Sequence, residues 1–224
     1  MFAPTGTILV DVGGVFSFIG DLTDKLGDWA SNWWFVGVIF TIALLDSMVP
    51  VVPSETTVII GAVAVATGEA PYPLLVVIAA GAAGAFIGDN LAYAIGHHWS
   101  AAFQRRADRK PKFAAKLIWA RTQIKERGGM LLITARFIPG GRTAVTLASG
   151  ITVQPRLWFA RWTFIAAIIW ATFAGGLARL VGEPFKENHT LAFWIAFGTA
   201  ISVNVIIEVV RHFRLKRKFS KPAV

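Results

Sequence analysis

The chain has no cysteine, which excludes disulfides, zinc–thiolate centres and cysteine nucleophiles. Charge is scarce as well, at 16% of 224 residues, whereas a soluble domain carries about a quarter. Tyrosine is nearly missing, with two residues against 17 Phe and nine Trp, and the 13 acids are outnumbered by 22 Lys and Arg. Neither Lys nor Arg occurs in the first 24 residues, which argues against a cleaved signal peptide with a basic start. That stretch carries Asp11, Asp21 and Asp24, with Asp28 after it, so residues 1–32 read as a peripheral, partly interfacial segment. The length holds one or two domains, not a membrane domain plus a large soluble enzyme.

What is present is apolar, at 55% of residues, with a net charge of +9. Residues 104–128 hold nine basic residues and two acids, residues 211–221 hold six basic residues and no acid, and the rest of the chain is net acidic. Between and before these blocks lie charge-free runs at 29–45, 56–68, 70–88, 162–178 and 190–207. Several approach the ~20 residues that cross a bilayer, and Trp33, Trp34, Trp99, Trp158 and Trp194 stand near run ends, as interfacial anchors do. No polar domain remains to present the basic blocks to nucleic acid. The expectation is a membrane protein whose partners are membrane lipids and the anionic inner leaflet.

Basic loops stay cytoplasmic, which places 99–128 and the tail 213–224 on that side, with spans at 156–181 and 190–211 leading out and back. The stretch 129–150 must then begin and end on one face, yet it is too short to cross twice. Ten or so residues flank Pro139-Gly140-Gly141 on each side, roughly 15 Å of helix per arm and half of the ~30 Å hydrocarbon layer. A re-entrant hairpin fits. The first half has the same form: Pro50 and Pro53 interrupt 33–68, and a span at 72–97 follows. Pro53/Pro139 and Gly96/Gly182 repeat at the same offset. The expected fold is all-α, a polytopic membrane protein with two opposed re-entrant helical hairpins in an inverted repeat. In the basic loop, Phe113, Leu117, Ala120 and Ile124 recur at helical spacing, the pattern of a basic amphipathic helix on the leaflet or of a solvated loop helix.

Ionisable groups at membrane depth cost at least ~2.5 kcal/mol each on insertion scales, so Asp46, Glu55, Asp89, Arg136 and Arg142 need reasons. Asp46 and Glu55 bracket the first break; Arg136 and Arg142 bracket the second. Arginine offers a rigid fork of donors matched to phosphate or carboxylate, and the Gly140-Gly141 turn adds freed N–H groups, so the second tip reads as an anion site. Carboxyl groups in low dielectric exchange protons near neutrality, which makes Asp46 and Glu55 proton-coupling or gating groups. The competing reading is architectural, four charges paired to hold the tips together. Asp89 and Tyr93, one turn apart on the 72–97 helix, either line the cavity or, for Asp89, bond a neighbouring helix. Gly81, Gly84 and Gly88 allow close helix packing. His97 and His98 diverge on a helix with no carboxylate at ligand spacing, so neither metal nor cofactor is expected. No Ser/His/Asp set or carboxylate dyad suggests an enzyme.

The run from Arg136 through Pro139, Gly140 and Gly141 to Arg142, with Thr143 and Ser149-Gly150 after it, resembles the DedA family of bacterial inner-membrane proteins. So do Asp46, Pro50 and Pro53-Ser54-Glu55 followed by Gly88-Asp89-Asn90, Tyr93 and Gly96. The family belongs to the VTT-domain (SNARE-associated Golgi) superfamily, and the resemblance covers roughly residues 33–182. It implies two opposed re-entrant hairpins, an inner-membrane location and the movement of lipids between leaflets, with undecaprenyl phosphate as the polyprenyl phosphate substrate in bacterial members. Its functional acids fall on Asp46 and Glu55, its arginines on Arg136 and Arg142. Many members have Glu at the first acidic position and Pro-Gly-Asp at the second, so side-chain reach differs here. An ion-coupled transporter of small ions and a non-transporting membrane assembly factor are the alternatives, and the oligomeric state is open.

Overall fold

The computed structural model describes residues 28–49, 54–138 and 140–185, with isolated positions at 195, 198, 199 and 202. Apart from those isolated positions the expected span 190–211 lies outside the described residues, as do the tail 213–224 and residues 1–27 of the N-terminal segment. Among the described residues every regular element is helical: α1 Trp34–Met48, α2 Ser54–Thr67, α3 Leu74–His98, α4 Ser100–Arg109, α5 Pro111–Arg127, α6 Met130–Thr134, a 3₁₀ turn Ala135–Phe137, α7 Gly141–Ile151, α8 Arg156–Gly182 and a second 3₁₀ turn Glu183–Phe185.

Prolines set several boundaries, because the ring drives the preceding residue out of helical φ/ψ. Val49 before Pro50, Lys110 before Pro111 and Ile138 before Pro139 are extended, at φ −123°, −134° and −118°. They end α1, α4 and the turn after α6. Gly140 starts α7 from a left-handed φ of 68°, which costs a glycine nothing. At 1.5 Å per residue, α3 and α8 measure roughly 37 and 40 Å, while α1, α2 and α7 measure about 22, 21 and 16 Å. Only α3 and α8, among the described residues, are long and apolar enough to cross a bilayer.

α3 is the centre of the packing. Its Gly84 and Gly88 lie against the Phe40 and Leu44 carbonyls of α1, while its Gly96 lies against the Leu147 carbonyl and Gly150 of α7 meets the Tyr93 carbonyl. Main chain therefore touches main chain on both sides of α3, as small-residue spacing permits. α2 lies on α8, α7 lies on α3, and α6 returns to α8. Phe35, Ile39, Val58, Val77, Ala85 and Trp170 belong to the main core; Tyr93, Leu132 and Phe159 form a smaller one. The outer faces are apolar too, with Ile87, Leu91 and Ile95 exposed on α3 and Phe164, Ile168 and Leu180 on α8. Helices apolar on both sides suit a bilayer rather than water. Before α3, the buried Tyr72 hydroxyl donates to the Ala30 carbonyl at 2.6 Å, and burial pushes its pKa up to about 12, so it stays a donor.

The basic loop is two helices rather than one, split at Lys110 where Pro111 begins α5. Phe103 of α4 meets Phe113 of α5 at 5.9 Å between ring centroids, and Arg106 covers the same Phe113 ring at 5.3 Å. The expected stripe of Phe113, Leu117, Ala120 and Ile124 is thus the less exposed face, half-buried at the first three positions and buried at Ile124. Ile118 and Trp119, which the spacing did not single out, are the exposed apolar residues of α5.

Candidate functional site

The five charges that need reasons are carried to one place by five elements. Asp46 lies two residues before the end of α1, Glu55 is the second residue of α2, and Arg142 is the second residue of α7. Arg136 occupies the 3₁₀ turn, and Asp89 stands on α3 roughly 14 Å from its C-terminal end, close to half the bilayer thickness. Helix ends deliver Asp46, Glu55 and Arg142 because the proline breaks put the ends there, whereas Asp89 comes from within α3. Gly140 and Gly141 form the turn between the arginines, but the Gly141 N–H donates to the Ile138 carbonyl at 2.9 Å. A turn this tight closes on itself, so that N–H is not free for an anion. The other expected tip residues, Pro50, Pro53 and Pro139, lie outside the described residues.

The charged groups alternate in sign. The Ser54 hydroxyl donates to Asp46 Oδ2, which also forms an ion pair with Arg142 Nη2 at 2.7 Å. Arg142 Nε stands 3.9 Å from Asp89 Oδ1, and Asp89 Oδ2 accepts from Arg136 Nη2. The Arg136 guanidinium lies over the Trp170 ring, 5.9 Å from its centroid. Thr143 Oγ1 donates to the Ser47 carbonyl at 3.3 Å, a neutral link between α7 and α1 beside the charged one. Half-buried Glu55 lies beside Trp170 and has Asp46 and Arg142 as its neighbouring charges.

The two ion pairs differ in burial, and that difference decides what each can do. The side chains of Arg136 and Asp89 are 1% exposed; those of Arg142 and Asp46 are 11% and 12% exposed. Breaking a sealed pair by removing one partner costs about 3–5 kcal/mol, since the other charge is left buried alone. Saturation is incomplete even so: Asp89 Oδ1 and Arg136 Nη1 are buried without a hydrogen-bond partner.

Asp46, Glu55, Asp89, Arg136 and Arg142 thus converge. Tyr93 stands apart: buried against Phe159 at 4.5 Å, it donates its hydroxyl to the Gln154 carbonyl at 2.6 Å and ties α3 to the turn after α7. Of the two roles open for Asp89, contact with another element is the one observed. Ser54, Thr143 and Trp170 were not singled out as site residues. Ser54 had a signal, lying between Pro53 and Glu55 at the first break. The signal for Trp170 was its place mid-span, away from the run ends where interfacial tryptophans stand.

The VTT domain profile matches residues 49–179, more than half of the chain. Undecaprenyl phosphate transporter A of Bacillus subtilis is 23% identical over 204 residues, covering 89% of this chain and 97% of that protein. An uncharacterized membrane protein of Synechocystis is 26% identical over 200 residues, covering 87% and 90%. Protein DedA of Escherichia coli is 23% identical over 196 residues, covering 84% and 88%. No solved structure matches. Matched through both breaks and both long apolar helices, the chain is a membrane protein that belongs to the VTT-domain family, among the DedA proteins.

Proposed function

We propose that this protein carries a lipid phosphate, undecaprenyl phosphate above all, between the leaflets of the bacterial inner membrane with its C-terminus cytoplasmic. In this reading Arg136 and Arg142 form the phosphate-binding site, and Asp46 and Glu55 release it for substrate by taking up protons. The observation that carries the reading is the Arg142–Asp46 pair, which joins the helix end at one proline break to the helix end at the other. The charge count supports proton uptake. Three acids, Asp46, Glu55 and Asp89, surround two arginines, so the fully ionised cluster is net negative and repels a phosphate. Protonating one carboxyl group removes a competitor for Arg142 and brings the cluster to neutrality, so the repulsion is lost.

The opposed re-entrant arrangement belongs to the same proposal. It is supported by α1, α2 and α7 being too short to cross, and by an exchange of partners: α2 rests on α8, and α7 rests on α3. Two units related by inversion exchange arms in this way. The decisive assay is reconstitution into liposomes with a labelled polyprenyl phosphate. Arg136→Ala with Arg142→Ala should abolish flipping, and flipping at the wild-type rate would refute the site. Uptake of small ions without lipid movement would refute the lipid substrate.

A further inference from the structure

Resting on the lipid-phosphate reading and narrowing its two-arginine site, we propose that Asp89 divides the work of the two arginines. Its carboxylate holds Arg136 as a sealed positioning pair and aims Arg142, which alone is the guanidinium that binds the phosphomonoester.

Three observations lead there. Arg136 and Asp89 are both closed off at 1% exposure, and Arg136 is further covered by the Trp170 ring. A phosphate reaching Arg136 must displace a buried carboxylate that has no other cation as close. Arg142 is the more exposed arginine, and its Nη2 is held by Asp46, itself at 12% exposure. Losing Asp46 frees the outer nitrogens of Arg142, the pair that meets two phosphate oxygens at once. The third observation is the atom with no partner: Asp89 Oδ1, buried and 3.9 Å from Arg142 Nε. A slight approach of Arg142 satisfies Oδ1 through Nε and leaves the outer fork pointing away from Asp89. Asp89 therefore acts through both arginines without touching substrate. The other groups around it are Asp46 of α1, the Ser47 hydroxyl of α1 and Trp170 of α8 behind Arg136.

The test uses the full-length protein in nanodiscs, with farnesyl phosphate and inorganic phosphate as probes and thermal unfolding as a ligand-free readout. Asp89→Asn and Arg136→Met singly each leave a buried charge alone and lower the unfolding temperature; together they recover much of that loss. A double variant no more stable than the singles overturns the pairing. For binding, Arg142→Lys removes both Nε and the fork, so it weakens farnesyl phosphate roughly tenfold or more beyond the loss in the Asp89→Asn/Arg136→Met variant. Equal losses overturn the division of work. Aiming is read by comparing that double with Asp89→Leu/Arg136→Met, which has the same charge but no acceptor for Nε. Weaker binding in the Leu variant, at a similar unfolding temperature, supports aiming, and equal binding overturns it. A wild type that binds inorganic phosphate as tightly as farnesyl phosphate, or binds neither, refutes the lipid-phosphate reading, whereas the unfolding cycle still reports the Asp89–Arg136 pair by itself.

Discussion

Replacing Gly84 by alanine puts a methyl group onto the carbonyl oxygen of Phe40, with Phe40 C and Cα at 3.0 and 3.1 Å. All three obstructing atoms are main chain, so no rotamer change relieves them. Ordinary carbon contacts are about 3.5–4.0 Å, which requires α1 to move outward by roughly 0.5–1 Å. The seam that opens contains Phe35, Ile39 and Ala43, each at most 1% exposed. Overpacking of this kind costs about 1–3 kcal/mol, and alanine returns ~1 kcal/mol of helix propensity. With only backbone in the way the upper part of the range applies, for a net loss of about 1–2 kcal/mol. Gly176 of α8 is the matched control, since a Cβ there meets nothing within 4 Å, and only the propensity gain remains. In detergent, followed by tryptophan fluorescence, Gly84→Ala should lower the unfolding temperature by roughly 2–8 °C and Gly176→Ala should raise it by about 2–4 °C. Shifts of the same sign would refute the reasoning. The displaced α1 also carries Asp46 away from Arg142, so Gly84→Ala should alter the rate of lipid flipping where Gly176→Ala does not.

Ser54→Ala removes the hydroxyl donor from Asp46 and should cost about 1.5–3 kcal/mol, because the acceptor is charged; an unchanged unfolding temperature would deny that bond a role. Val153 sits at φ 56° in the turn after α7, so Val153→Gly relieves about 1–2 kcal/mol of strain against ~0.5–1 kcal/mol of added chain entropy. A small rise in unfolding temperature is expected, and a fall would show that the valine side chain holds the turn. Trp170→Phe keeps an aromatic face for Arg136 but removes the indole N–H of the ring beside Glu55. Flipping should therefore change while stability drops less than in Trp170→Ala, and a measurement of both quantities separates the two functions of this ring.

Much of the architecture was legible because it rests on local properties. A proline disfavours helical geometry just before it, so the breaks at Pro50 and Pro139 could be read one residue at a time, and the same rule at Pro111 went unused. Long charge-free runs marked α3 and α8, and the glycines of α3 marked where other helices come close. The amphipathic stripe of α5 was legible as a stripe but not in its direction. Phe113 turns onto the Phe103 ring of α4 and Ile124 is buried, and helical periodicity contains no information about what lies opposite.

By itself, the sequence determined that this is a helical membrane protein with charges where an apolar chain should have none, since composition and proline placement are properties of single residues. Which acid meets which arginine was decided only by tertiary structure. The expectation set the acids Asp46 and Glu55 against Arg136 and Arg142 as two tips. In the folded chain Asp46 takes Arg142, and Asp89, 47 residues from its partner along the sequence, takes Arg136. The cause is steric: the glycines of α3 let α1 and α7 approach its backbone from two sides, and that places the Asp89 carboxylate within reach of both guanidinium groups.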